Sequence, residues 1–205
     1  MPTCADVDSL VFVLDDDQSV REALERLLRS AGYTVVPLRT AEELLERLPL
    51  SEPACLVLDV GLPGTSGLEL QQQLARRDPG LAIVFITGQG DISMSVRAIK
   101  AGAVEFLPKP FSDEDLLAGI RQGLDEAHRV WGVRQEQRTL CEHYEQLTPR
   151  ERDVLRLVVS GMPNKRVAFE LSIAEATVKI HRGHVMQKMH AASLADLVRM
   201  AERIP

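Results

Sequence analysis

No apolar run in the chain is long enough to cross a bilayer. The longest, such as residues 81–86, fall far short of the roughly 20 residues that a spanning helix needs. The N-terminus has no basic region followed by an apolar stretch, so no secretory signal is expected. Cysteine is scarce: Cys4, Cys55 and Cys141 are odd in number and widely spaced, which fits neither a disulfide framework nor a zinc cluster. Reduced thiols follow from that spacing. No internal repeat occurs. What is present is ordinary for a folded chain. Of 205 residues, 45% are hydrophobic and 26% charged, which excludes a disordered or collagen-like protein. A soluble, cytoplasmic protein of one or two domains, with no membrane partner, is expected.

The net charge of −6 is unevenly spread. Residues 1–125 hold 11 basic against 20 acidic side chains, a net of −9, and residues 126–205 carry +3. Halves of opposite sign suggest different partners. The acidic half suits a cation. The other half is only mildly basic, so charge alone argues weakly for nucleic acid.

The first half alternates strand and helix signals. Short apolar runs at 10–14, 55–58, 81–86 and 104–107 read as buried parallel strands, and 33–37, closing on Pro37, reads as an edge strand. Helical spacing occupies 19–31, 41–48, 67–77 and 91–101, and Asp113 opens a further helix. This alternation implies a parallel sheet covered on both faces. Residues 114–146 lack proline, and 124–147 are charged with sparse apolar residues, as in a long exposed helix or, alternatively, a short heptad-like seam between two chains. Thr148-Pro149-Arg150-Glu151 has the form of a capping box, and helices follow to Gly161, over 164–171, 174–189 and 193–203. No strand signal follows residue 108, so the second half is all helical.

In an open parallel sheet, ligands sit beyond the carboxyl ends of the strands. There the sequence places Asp15-Asp16-Asp17, Asp59, Thr87 and Lys109. Clustered carboxylates repel unless a cation joins them, and hard oxygen donors with room for water suit Mg²⁺. In such a site Asp59 can accept a phosphoryl group as an aspartyl phosphate, while Lys109 and the Thr87 hydroxyl hold phosphoryl oxygens. Asp17 has a simpler reading, as N-cap of the helix that follows.

The blocks Val13-Leu14-Asp15-Asp16-Asp17, Leu58-Asp59-Val60-Gly61-Leu62-Pro63-Gly64, Ile86-Thr87-Gly88, Lys100-Ala101-Gly102-Ala103 and Phe106-Leu107-Pro108-Lys109-Pro110-Phe111 resemble the receiver domain of two-component response regulators. The resemblance implies that a sensor histidine kinase phosphorylates Asp59. It implies that Asp15, Asp16 and Asp59, with the Gly61 carbonyl, hold Mg²⁺, and that Thr87 and Phe106 form a switch pair. Phe106 stands where many receivers carry tyrosine.

Helices joined by short turns, with a basic third helix, suggest helix-turn-helix DNA binding. Thr177, Lys179, Ile180, His181, Arg182 and His184 lie off the apolar side of that helix, and Lys165, Arg166 and Lys188 could add backbone contacts. A plain solvated face is the alternative. Leu147-Thr148-Pro149-Arg150-Glu151, Gly161-Met162-Pro163-Asn164-Lys165, Ala174-Glu175-Ala176-Thr177-Val178-Lys179-Ile180-His181, Lys188-Met189 and Ser193-Leu194 resemble a LuxR-type DNA-binding domain. The whole chain is then similar to response regulators of the NarL/FixJ family, FixJ-like branch. That implies an α/β fold: a (βα)5 doubly wound receiver over 1–125, a helical linker over 126–143 and a four-helix LuxR-type helix-turn-helix domain over 144–205. It also implies a transcriptional regulator and not an enzyme, with Mg²⁺ as cofactor. The implied partners are a cognate sensor histidine kinase, double-stranded promoter DNA, RNA polymerase and a second copy on phosphorylation. The expected dimer contact lies over 93–109, with the linker helix as the alternative. Two rivals stand beside this reading. A phosphatase that uses aspartate needs a second acid soon after the nucleophile, and Asp59 is followed by Val60 and Gly61. A phosphorylation-controlled module could instead bind protein through its helical half.

Overall fold

The three central strands of the first half are short, mainly apolar runs that bury both of their faces, whereas the two edge strands are only partly buried. The computed structural model describes residues 9–77, 80–88 and 92–204. Cys4 and the Gln89-Gly90-Asp91 stretch, including the expected helix start at Asp91, lie outside the described residues. The strands are β1 (Leu10–Leu14), β2 (Thr34–Leu38), β3 (Ala54–Asp59), β4 (Ala82–Thr87) and β5 (Glu105–Pro108). They form one parallel sheet in the order β2-β1-β3-β4-β5, with Pro37 on an edge strand as its missing N–H requires.

Helices α1 (Gln18–Ser30), α2 (Ala41–Leu45), α3 (Gly67–Arg77), α4 (Ile92–Lys100) and α5 (Asp113–Glu145) follow the five strands in turn. The period of two along each strand sorts the core. Phe12, Leu14, Leu56, Leu58, Ile83 and Phe85 face α2, α3 and α4 through Leu44, Leu70, Leu74 and Ala98. Val11, Val13, Cys55, Val57, Val84 and Ile86 face α1 and α5 through Leu24, Leu28, Leu116 and Ile120. Each fully buried Leu or Ile contributes about 1.5–3 kcal/mol, so these two clusters carry the unit.

Two elements differ from the sequence reading. The second helix stops at Leu45 and not at 48, because Pro49 disfavours helical geometry at Leu48. The helix that opens at Asp113 and the charged stretch from 124 are one continuous 33-residue helix. Gly119 and Gly123 do not break it. They lie where it meets the sheet: a Cβ on Gly123 would stand 2.9 Å from Cys55 Sγ, and one on Gly119 would stand 3.3 Å from Glu105 Cβ. Nor is the stretch wholly solvated. Leu124 and Ala127 join the α1/α5 core, and Leu140 and Leu147 are buried in the helical core of the second half.

The chain divides into two compact units, residues 1–131 and 132–205. In the second, α6 (Pro149–Val159), α7 (Asn164–Leu171), α8 (Glu175–Lys188) and α9 (Leu194–Glu202) surround Val154, Leu155, Val158, Val167, Val178, Val185, Met189 and Leu197. Thr148 caps α6 reciprocally with Glu151, as its sequence requires. Pro163 starts α7 without a side-chain cap. Ser172 ends α7 in the left-handed region, φ 55°, and supplies the tight turn into α8 that glycine often makes. Among the described residues no helix is long and apolar enough to cross a membrane.

Candidate functional site

The strand order reverses direction between β1 and β3, and the site forms beyond their carboxyl ends. β1 runs straight into Asp15, and Asp59 is the last residue of β3. Both carboxylates are nearly buried, 1% and 7% exposed. Burial of two like charges is costly unless they are paired. Lys109, just after β5, pairs both: its Nζ donates to Asp15 Oδ2 at 2.8 Å and to Asp59 Oδ1 at 2.9 Å. The remaining oxygens take backbone donors. Asp17 N donates to Asp15 Oδ1 at 2.9 Å, and Gly61 N donates to Asp59 Oδ2 at 2.6 Å. Burial acts to lower the Lys109 pKa, and the hydrogen bonds and charges of Asp15 and Asp59 outweigh it and raise it. Lys109 is therefore a fixed cation.

Thr87, the buried last residue of β4, is held to the same edge, where its carbonyl accepts from Lys109 N at 2.6 Å. Phe106 is half-buried on β5, with its ring tilted against Phe85 at 6.0 Å. Asp17 is the N-cap of α1, its Oδ1 accepting from Ser19 N at 2.7 Å. Asp16 is exposed. Asp15 and Asp59, two of the three carboxylates expected to converge, share the Lys109 ammonium. Like charges repel, and one ammonium serves only the two buried carboxylates. All the donors are hard oxygens beside a solvent-facing loop, the chemistry that suits Mg²⁺. The sequence reading missed Arg21. Its buried guanidinium crosses from α1 and donates to the carbonyls of Asp15, at 2.7 Å, and Asp16, at 3.0 Å, bracing the acidic loop. An arginine on a helical face gives no local sign of this.

In the second unit, α7 and α8 make the helix-turn-helix. Lys165, Arg166, Lys179 and Ile180 are exposed, Ile180 by 57%. Thr177, His181 and Arg182 are half-buried. Arg182 Nη1 donates to Asn164 Oδ1 at 3.1 Å, tying α8 to the start of α7. Lys188 departs from its expected place among the backbone contacts. Its Nζ donates to the buried Glu151 at 2.7 Å and to the Gln146 carbonyl at 3.3 Å, so its charge is committed inside the unit. Burial raises the Glu151 carboxyl, and the hydrogen bonds from Lys188 and Thr148 outweigh it and hold it at about 2.

A lysine-bridged acidic edge on a doubly wound sheet, joined to a helix-turn-helix, defines a class of proteins that couple a covalent or ionic signal to DNA. Comparison with known proteins places the chain within it. Residues 11–121 match the family described as "Response regulator receiver domain", and residues 145–201 that described as "Bacterial regulatory proteins, luxR family". Nodulation protein W of Bradyrhizobium diazoefficiens is 49% identical over 202 residues, covering 98% of this chain and 89% of that protein. Transcriptional regulatory protein FixJ of Azorhizobium caulinodans is 40% identical over 191 residues, covering 93% and 90%. A solved structure of the response regulator StyR matches with a TM-score of 0.84 at 50% identity, covering 95% of this chain and 98% of that one. The chain belongs to the two-component response regulators that join a receiver domain to a LuxR-type DNA-binding domain. It is a transcriptional regulator and not an enzyme.

Proposed function

We propose that Asp59 accepts a phosphoryl group from a sensor histidine kinase and that this event controls promoter binding by the helical unit. The observation that carries the reading is the position of Lys109 Nζ between Asp15 and Asp59, with the Lys109 backbone N–H bonded to the Thr87 carbonyl at the same edge. An Asp59 oxygen attacks phosphorus, the P–N bond to the kinase histidine breaks, and its electron pair returns to the imidazole. Lys109 pairs with one phosphoryl oxygen, and the Thr87 hydroxyl donates to another. Phe106, packed on Phe85, is the partner of Thr87 in relaying the change. Asp15, Asp16 and Asp59, with the Gly61 carbonyl, are the residues that would hold Mg²⁺, which supplies charge neutralisation at phosphoryl oxygens.

The helical unit meets DNA through α8, with Lys179, Ile180 and Thr177 toward the groove and Arg182 and Lys165 toward phosphate; His181, expected beside them, lies instead against the buried Glu151 inside the unit. Ala174 gives the α8 N-terminus no side-chain cap, which leaves first-turn N–H groups for a phosphate oxygen. Helix-turn-helix proteins read paired half-sites as dimers. An exposed apolar stripe on α4, Ile92, Val96 and Ile99, supplies a self-association surface on the first unit. The protein acts in the cytoplasm, with RNA polymerase as a further partner at the promoter.

Incubation of the full chain with acetyl phosphate and Mg²⁺ should add one phosphoryl group by intact mass, and Asp59→Asn should abolish it. Equal labelling of the two proteins rejects Asp59 as acceptor.

A further inference from the structure

Glu151, His181 and His184 bring one carboxylate and two imidazoles together in the second unit, with ligand atoms all within 4.8 Å of one another. They are the one such group of three among the described residues. Glu151 stands in the first turn of α6. His181 and His184 are three residues apart on α8 and so share a helix flank.

The His184–Glu151 separation suits an ion better than a hydrogen bond. His184 Nδ1 and Glu151 Oε1 are 3.4 Å apart, longer than the usual N–H···O separation of about 2.9–3.0 Å. Two donors on a tetrahedral centre with arms of about 2.0–2.1 Å stand roughly 3.4 Å apart. A second observation is independent of this. His181 Nδ1 is buried and has no hydrogen-bond partner, an arrangement that calls for an explanation in a folded protein.

We infer that Glu151, His181 and His184 form a binding site for a borderline divalent transition metal, Zn²⁺ or its spectroscopic stand-in Co²⁺. Two imidazoles and a carboxylate are a recognised zinc donor set, with the fourth position left to water, and they differ from the all-oxygen sets that select Mg²⁺ and Ca²⁺. Glu151 is held ready. Its Oε2 accepts from Lys188 Nζ at 2.7 Å and from Thr148 N at 2.9 Å, which fixes the carboxylate and leaves Oε1 toward the histidines. The neighbouring ammonium opposes a cation and limits the affinity. His184 is 55% exposed in its side chain, which gives an ion a route from solvent. A bound ion ties the start of α6 to the middle of α8, one turn from Ile180, so occupancy stiffens the helix proposed to meet DNA.

The test uses the tag-free, chelator-treated full chain, titrated with Co²⁺. Tetrahedral Co²⁺ with nitrogen ligands absorbs strongly in the visible, whereas an oxygen-ligated octahedral ion in the acidic pocket of the first unit is nearly colourless. One equivalent of the strong band, displaced by Zn²⁺, is expected. His184→Ala removes an exposed side chain and should keep its melting transition while losing the band, with Zn²⁺ affinity falling by at least about 100-fold, since even outer-shell losses cost 10–100-fold. Asp59→Asn should keep the band. So should His190→Ala, which breaks the other imidazole pair, His143 and His190, whose rings are 4.5 Å apart. The inference is overturned if the parent gives no tetrahedral band, if His184→Ala retains it, or if His190→Ala abolishes it.

Discussion

Lys188 reaches from the last turn of α8 to Glu151 in the first turn of α6, its ammonium 2.7 Å from a carboxylate that is 3% exposed. This pair, with the capping box that shares the same carboxylate, joins two helices of the DNA-binding unit. The Glu151 carboxyl is held at about 2 against an ordinary 4.5. A lowered folded-state value means that the stabilisation is complete above about pH 4.5 and is lost as pH falls toward 2. A shift of that size corresponds to about 3 kcal/mol, to order of magnitude. Glu151→Gln should therefore lower the protection of α6 and α8 amides in the full chain by about 2–3 kcal/mol at pH 7, by hydrogen exchange. It should also flatten the acid loss below pH 4.5. Unchanged protection at pH 7 would mean that the pair is structurally idle.

How much of this was legible in the sequence depended on how far each relationship reaches along the chain. The Asp17 cap and the Thr148–Glu151 capping box are local, within three residues, and were read directly. The three central strands, β1, β3 and β4, were legible because both of their faces are buried, so their composition alone marks them, whereas Pro37 marks β2 as an edge. Asp15, Asp59 and Lys109 were placed together because strand ends in a parallel sheet share one edge. Nothing local announces that Lys188 serves Glu151, 37 residues away, or that Arg182 serves Asn164, 18 residues away. On helical spacing alone both looked like free cations. Gly119 and Gly123 carried the opposite ambiguity: helix-weakening in isolation, they mark where α5 lies close on the sheet.

That close approach can be tested. A methyl group at position 123 would stand 2.9 Å from Cys55 Sγ and 3.4 Å from Ala82 Cβ, both on the sheet. Cys55 is fully buried, and burial pushes its thiol up to about 12, so it is an unreactive apolar filler. Gly123→Ala should destabilise the first unit by about 1–3 kcal/mol through overpacking, in spite of the better helix propensity of alanine. In a Cys55→Ala background the same change should cost clearly less. Urea denaturation of the four proteins measures the coupling, and strict additivity would show that the contact is not the cause.

The α4 stripe gives a prediction about assembly. Ile92, Val96 and Ile99 are 85%, 44% and 45% exposed and recur at helical spacing. Three exposed aliphatic residues in a row suit self-association. Val96→Asp should leave labelling of Asp59 unchanged and prevent phosphorylation-dependent dimerisation in sedimentation velocity. A fully dimeric phosphorylated variant would move the contact elsewhere, with α5, where Val133 is 54% exposed, as the next surface to alter.

Lys179 and Arg182 should carry DNA binding in different ways. Lys179 is near the N-terminal end of α8, the end that reaches base edges in helix-turn-helix proteins. Its side chain is 65% exposed, and its partner, Glu175, is a loose 3.8 Å away in an i,i+4 pair worth only a few tenths of a kcal/mol. Lys179 is therefore free to exchange that partner for a base. Arg182 is half-buried and donates to Asn164 Oδ1 at 3.1 Å, so its guanidinium sits at the junction of α7 and α8, where a phosphate contact fits better than a base contact. Lys179→Ala should cost about 1–3 kcal/mol on the operator and little on random DNA, relaxing sequence preference. Arg182→Ala should weaken both DNAs alike and flatten the salt slope by roughly one unit. Asn164→Ala separates the two jobs of Arg182: it breaks the helix tie but leaves the cation, so affinity should fall while the salt slope stays. Fluorescence anisotropy on both DNAs across a salt series measures all three variants. Loss of discrimination in Arg182→Ala would exchange the two roles, and no change in any variant would remove α8 as the reading helix.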